Sequence, residues 1–353
     1  MPLRRRSLLL AGTSAPLLAA CSTGLWRYRE ETVPALATRL GVCASVYSIL
    51  RAGRPQAPVA VSGCQAAVPG DSVFQAASLT KPVVAFAALQ LAQAGVLDLG
   101  APASTYLPGG YTHFHSPLRR GPTDPNDIVP AEALAQIPVA TLLNHTSGLP
   151  NWSASTLGTS LAPGARWQYS GEGYVLLQAV VEAATGVPFL QCMDEHVFKP
   201  LGMRDSSLVW QDRYAPRAMP GQPAGATSRE AVFRYPVAAA SLYTTASDYA
   251  QFMSAFATDE RLLALALSRL ASVDRDLRLE WGYGWGIERA GADTVLWQWG
   301  NNPGFRSFAM FSASSKDGFV ILTNSDNGMP LAASLAFRAL PGDHNAFRFS
   351  MVG

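Results

Sequence analysis

Lysine is almost missing from this 353-residue chain. Only Lys81, Lys199 and Lys316 contribute to its 27 basic residues, and arginine supplies the rest. Net charge is +2 and the basic residues are scattered, which leaves no footprint for nucleic acid. After the first 20 residues no apolar run reaches the length of about 20 residues that a membrane-crossing helix needs. Metal-ligand patterns are equally thin. His113-Phe114-His115 offers two histidines at i, i+2, but no third ligand and no His-Glu-x-x-His pattern accompany them, so no metal or other cofactor is expected. Cysteine is limited to positions 21, 43, 64 and 192.

What is present begins with an export pattern. Arg4-Arg5-Arg6 precedes the apolar residues Leu8-Leu9-Leu10 and Leu17-Leu18-Ala19-Ala20, too short for a permanent span, so residues 1–20 read as a signal peptide. Arg5-Arg6-Ser7-Leu8-Leu9 suits either a twin-arginine or a general secretory signal. Leu18-Ala19-Ala20-Cys21 resembles a bacterial lipobox, which implies a lipid on Cys21 and a membrane partner; plain cleavage near Ala20 is the alternative. Lipidation would place residues 21–353 at the periplasmic face, with Ser22 suiting the outer membrane where there are two.

Two strand-like runs, Val42 to Leu50 and Ala57 to Gln65, flank a turn at Gly53-Arg54 that would set Cys43 opposite Cys64. An oxidising compartment favours a disulfide there; two small buried thiols in a sheet are the alternative. Helices are expected at Thr32 to Leu40, Ser78 to Gln93, Tyr174 to Thr185 and Ala246 to Phe256. Residues 108–130 and 216–236 are rich in turn formers and read as irregular. Strand-like runs close the chain at Trp281 to Glu288, Thr294 to Trp299, Ser307 to Phe311 and Gly318 to Thr323. Strands at both ends with helices between imply one sheet built from both termini plus a helical insertion.

Against the scarcity of lysine, Ser78-Leu79-Thr80-Lys81 stands out. Serine and lysine at i, i+3 share a helix face, so an amine lies beside a hydroxyl. An ordinary lysine is protonated at neutral pH and cannot act as a base, but burial lowers its pKa. The same four residues also suit an ordinary helix start.

Other segments in the same order settle that choice. Ala77-Ser78-Leu79-Thr80-Lys81-Pro82 is followed by Gly95-Val96-Leu97-Asp98-Leu99 and Tyr106-Leu107-Pro108. Next come Leu142-Leu143-Asn144-His145-Thr146-Ser147-Gly148-Leu149-Pro150, Pro163-Gly164 and Tyr169-Ser170-Gly171-Glu172-Gly173-Tyr174. Lys199-Pro200-Leu201-Gly202-Met203 and Leu242-Tyr243-Thr244-Thr245-Ala246-Ser247-Asp248 complete the series. Together they resemble the serine hydrolases of the β-lactamase and penicillin-binding-protein superfamily, in its class C-like esterase and DD-peptidase branch. The resemblance implies an α/β fold, with an antiparallel sheet flanked by terminal helices. One domain spans 21–353: an α/β lobe over about 25–95 and 237–353, and a mostly helical lobe over about 96–236.

The resemblance also implies roles. Ser78 is the nucleophile, Lys81 its partner and Tyr169 a catalytic phenol that serves as base or returns the proton; backbone N–H groups of Ser78 and Asn301 form the oxyanion hole. His145 falls in a structural turn, not in a Ser-His-Asp triad. Two departures bear on substrate. Gly171 stands where the family usually has asparagine. Gln298-Trp299-Gly300 stands where it has Lys-Thr-Gly or His-Thr-Gly, in register with Asn301-Asn302-Pro303-Gly304-Phe305-Arg306-Ser307. The expected activity is therefore cofactor-free hydrolysis of ester or amide bonds in small acyl compounds. The alternatives are a β-lactamase or DD-peptidase acting on penicillins or cell-wall peptides, and a non-catalytic periplasmic lipoprotein that binds the cell wall.

Overall fold

Strands from both ends of the chain meet in one antiparallel sheet. The computed structural model describes residues 24–118, 120–224 and 232–352. The strands are β1 Ser45–Arg51, β2 Arg54–Pro55, β3 Val59–Val61, β4 Phe74–Gln75, β5 Tyr111–Phe114, β6 Asn126–Val129 and β7 Tyr243–Thr244. They continue with β8 Ala271–Asp274, β9 Leu279–Trp281, β10 Gly286–Ala290, β11 Asp293–Asn302, β12 Phe305–Ser312 and β13 Gly318–Thr323. The main sheet runs β2-β1-β13-β12-β11-β10-β9-β8, with β3 also on β1. The N-terminal hairpin joins the C-terminal meander through β1 and β13, from Ser45↔Thr323 to Leu50↔Gly318.

The helices are α1 Val33–Leu40, α2 Thr80–Gln93, α3 Ala131–Leu134, α4 Val139–Leu143, α5 Gly171–Thr185, α6 Phe189–Met193, α7 Ala246–Thr258, α8 Glu260–Ala266 and α9 Met329–Ala339. The period of two along β13 buries both sheet faces. Phe319 and Ile321 enter a core with Leu36 of α1 and Leu331 and Leu335 of α9. Val320 and Leu322 enter the opposite core with α2 and α7, which continues to Leu176 and Val180 of α5. The sheet and the helical insertion thus share apolar packing. α2 lies inside it, and its first turn accommodates Pro82 without a lost hydrogen bond.

Four expectations need correction. The helix carrying Ser78 opens as a 3₁₀ turn, Ala77–Leu79, before α2. Residues 108–130 are not wholly irregular: β5 and β6 pair as a hairpin, with the turn formers gathered between and beside them. The run from Trp281 to Glu288 is two strands, because Gly284 turns at φ +88° where a Cβ would lie 2.4 Å from Cβ of Ala85 on α2. The first hairpin turns at Ala52-Gly53, one residue early, with both φ values positive as a two-residue turn favours. Cys43 and Cys64 still meet. Leu50 pairs with Pro55 but Tyr47 with Val59, so the second strand carries an extra residue that shifts the register. The two cysteines form a disulfide with Cα atoms 4.7 Å apart.

Candidate active site

Ser78 sits on a turn held from both sides. Ala76 N–H donates to Leu242 O at 2.8 Å, and Leu242 N–H donates to Thr80 Oγ1 at 3.0 Å. Ala77, just before the serine, adopts φ +50°, a left-handed conformation uncommon outside glycine. β11 runs directly against this turn. At Gly300 a Cβ would lie 2.1 Å from Ser307 Oγ and 2.4 Å from Ala76 O, so only glycine lets the strand come this close. Ser307 fastens the contact by donating to Ala76 O at 2.7 Å.

Lys81 projects from the first turn of α2 and is 1% exposed. Its Nζ lies 3.1 Å from Ser78 Oγ and donates to Ala239 O at 2.7 Å. It also lies 4.7 Å from the centre of the Tyr169 ring, a contact that favours its charged form. Burial opposes this more strongly and lowers the Lys81 pKa to about 7. Tyr169 precedes the Ser170 cap of α5 and hydrogen-bonds with Ser78. Burial raises its pKa, so the phenol keeps its proton at neutral pH.

Gln298 is fully buried and does not line the cleft. Its amide donates to Tyr169 Oη at 3.0 Å and approaches Ser78 O at 3.4 Å. The expected substrate contact is therefore a contact to the phenol. Trp299 and Asn301 do line the cleft, with Ser78, Tyr169, Asn151, Trp152 and Met351, around about 300 Å³. Gly300 and Gly171 lie behind its walls. A Cβ at Gly171 would come 2.5 Å from Asn151 O and 2.9 Å from the Trp152 ring. Asn151 Oδ1 accepts from Gly171 N at 3.0 Å, so Asn151 and Trp152 take the space an asparagine side chain at 171 would need.

Arg306 does not replace the absent cation. It donates to Asn302 O at 3.0 Å and pairs with Asp326 at 2.8 Å. His145 lies beneath Tyr169, ring centres 4.4 Å apart, with Nδ1 accepting from Ser170 N at 3.1 Å. Burial, and then the Lys81 charge, hold its pKa well below the usual value. It supports the tyrosine as a neutral ring. Cys192 is buried, and burial followed by Glu195 pushes its thiol up to about 11, which keeps it unreactive.

Sequence reading did not find Asn151, Trp152 or Met351. The first two directly follow Leu149-Pro150 and could have been reached by extending that segment. Met351 arrives from the far end of the chain and gives no local signal. His113 was assigned no third metal ligand; the structure brings Asp127 to it across the β5–β6 hairpin.

A serine, a buried lysine and a phenol converging in a cleft beside the edge of a sheet strand define the Ser-x-x-Lys class of serine hydrolases. The beta-lactamase family model matches residues 34–342, and the chain belongs to that family. It is 31% identical over 276 residues to esterase EstB of Burkholderia gladioli, covering 62% of this chain and 66% of the esterase. It is 28% identical over 158 residues to the D-alanyl-D-alanine-carboxypeptidase/endopeptidase AmpH of Escherichia coli K12, covering 39% of this chain and 37% of that one. The chain thus spans just under two thirds of the esterase and little more than one third of the carboxypeptidase. A class C beta-lactamase structure superposes with TM-score 0.70 over 91% of this chain and 97% of its own, at 16% identity, which shows the shared fold.

Proposed function

We propose that this chain hydrolyses ester bonds, and less readily amides, of small acyl compounds through an acyl-enzyme on Ser78. The observation that carries this reading is Lys81 Nζ, 3.1 Å from Ser78 Oγ, with a pKa lowered to about 7 by burial. About half of such a lysine is neutral at pH 7. With one N–H donated to Ala239 O, its lone pair takes the Ser78 proton as Oγ attacks the acyl carbon. The carbonyl oxygen becomes an oxyanion facing the N–H groups of Ser78 and Asn301. The tetrahedral intermediate expels the alkoxide, which takes a proton from the Tyr169 hydroxyl; Lys81 returns a proton to the phenol. Water then attacks the acyl-enzyme by the reverse relay and releases the acid. Gln298 steadies the phenol oxygen throughout.

The cleft favours esters over penicillins. Among the described residues that line it none is charged, so a penicillin carboxylate finds no cation, while Trp152, Trp299 and Met351 offer apolar contact. A missing charged hydrogen bond is worth about ten- to a hundredfold. Steady-state kcat/KM should therefore be higher for p-nitrophenyl acetate and butyrate than for benzylpenicillin by at least that factor. Penicillin turnover above ester turnover would replace this reading with a β-lactamase or DD-peptidase. Absence of turnover and of any acyl-enzyme on either substrate would leave the non-catalytic cell-wall binder. Lys81→Ala and Tyr169→Phe should each lose about a hundredfold to ten-thousandfold in kcat.

The same reading places the enzyme outside the cytoplasm, anchored by lipid on Cys21. That cysteine lies outside the described residues; the support is the lipobox-like sequence and a disulfide suited to an oxidising compartment. Mass spectrometry of membrane-extracted protein should find a lipidated Cys21 as residue one. An unmodified N-terminus elsewhere would contradict it.

A further inference from the structure

We propose that His113, His115 and Asp127 form a binding site for one divalent transition-metal ion of the zinc class, with Glu172 as the carboxylate that orients His113. His113 and Asp127 are cross-strand partners in the β5–β6 hairpin, and His115 follows at i, i+2 on the same face. His113 Nδ1 lies 2.9 Å from Asp127 Oδ1, and His115 Nε2 lies 3.5 Å from the same oxygen. All three donor atoms fall within 4.8 Å of one another. A tetrahedral ion at about 2.0–2.1 Å from each donor sets neighbouring donors about 3.3 Å apart. Two of the donor separations, 2.9 and 3.5 Å, bracket that spacing.

Two further observations separate this cluster from a chance meeting of polar side chains. Nε2 of His115 is buried and closes no hydrogen bond. A buried polar nitrogen left this way calls for a partner. Behind the cluster, Glu172 Oε2 lies 3.5 Å from His113 Nε2. The carboxylate is itself fixed, since Oε1 accepts from Ser153 N at 3.0 Å. With Nδ1 toward the ion and Nε2–H toward Glu172, His113 forms the carboxylate–histidine–metal relay that sets ring orientation and basicity.

Two imidazoles and one carboxylate suit zinc, and disfavour calcium or magnesium, which take oxygen ligands. His113 is 1% exposed, but His115 and Asp127 are 27% and 21% exposed, which leaves an entry path and an open fourth position. None of the three lines the Ser78 cleft. The ion would clamp the hairpin to the start of α5 and to Ser153, which follows Trp152 in the cleft wall.

Isothermal titration of metal-stripped full-length protein with zinc chloride tests this, together with visible absorption of the cobalt(II)-loaded protein. One zinc per chain is expected, with the intense cobalt bands of a four-coordinate site. His115→Ala and Asp127→Asn, folded by circular dichroism, should each weaken binding by at least about a hundredfold, and Glu172→Gln by about ten- to a hundredfold. His196→Ala, remote in sequence, should bind as the parent does. Ser78→Ala should also bind normally, so the result stands apart from the fate of the hydrolase reading. No saturable one-to-one binding, or binding unchanged in both His115→Ala and Asp127→Asn, would overturn the proposal. Should either variant fail to fold, the other variant and the cobalt spectrum of the parent still decide.

Discussion

Lys81 combines two properties that seldom coincide: it is buried, and its nearest polar partners are a hydroxyl and a carbonyl instead of a carboxylate. Its pKa of about 7 therefore follows from desolvation, and on the proposed mechanism the lysine, rather than the high-pKa Tyr169, is the base that starts the reaction. Ester kcat/KM should rise about tenfold per pH unit below 7 and level off above it. A profile flat from pH 5 to 8 would count against Lys81 as base. The same shift weakens the fold. Between pH 7 and 10.5 the unfolded chain holds a proton on this lysine that the folded chain lacks, so stability rises with pH across that window. Lys81→Met, inactive by this account, should melt a few degrees above the parent at pH 7, with the gap closing toward pH 10. Calorimetry at both pH values checks the sign.

At the scale of elements, two glycines show how the strands and helices set the cleft. Gly171→Asn restores the family's usual residue but drives a side chain into Asn151 O and Trp152. It should lower both melting temperature and ester kcat/KM, and Trp152→Ala in the same chain should recover part of each. Equal losses in single and double variants would mean that Trp152 is not what fills the space. The elements that converge at the cleft were legible because each occupies a short segment with its own turn or cap: Ser78 with Lys81, Tyr169 before the Ser170 cap, and Gly300 in a strand register. The β5–β6 hairpin was not, because proline and glycine at its ends and loop mask four-residue strands. Asp127 was hidden with it, since only pairing brings it to His113. Gln298 was placed correctly in the sequence and misjudged in direction. Alternation along β11 sends it inward to the Tyr169 hydroxyl, while Trp299 packs against that ring within the core the two aromatics share.

At the scale of the whole molecule, the sheet is closed by strands from opposite ends of the chain, and the N-terminal hairpin is tied off by Cys43–Cys64. A loop of this size contributes about 3 kcal/mol by restricting the unfolded chain. Cys43→Ser should lower stability by about that amount in denaturant titration, and dithiothreitol should do the same to the parent alone. No change in either would show that the bridge adds nothing to the fold. Antiparallel pairing from both termini was readable from the strand pattern. The C-terminal reach of Met351 into the cleft was not, because it depends on packing of Phe349 against Trp297 and Trp299 that no local pattern encodes.

The proposed mechanism makes Ser78 the nucleophile. Intact-mass spectrometry after incubation with a fluorophosphonate, followed by peptide mapping, can locate the labelled residue. One adduct per chain, located on Ser78 and absent from folded Ser78→Ala, is the predicted result. An adduct on another residue, or none on the folded parent protein, would contradict it.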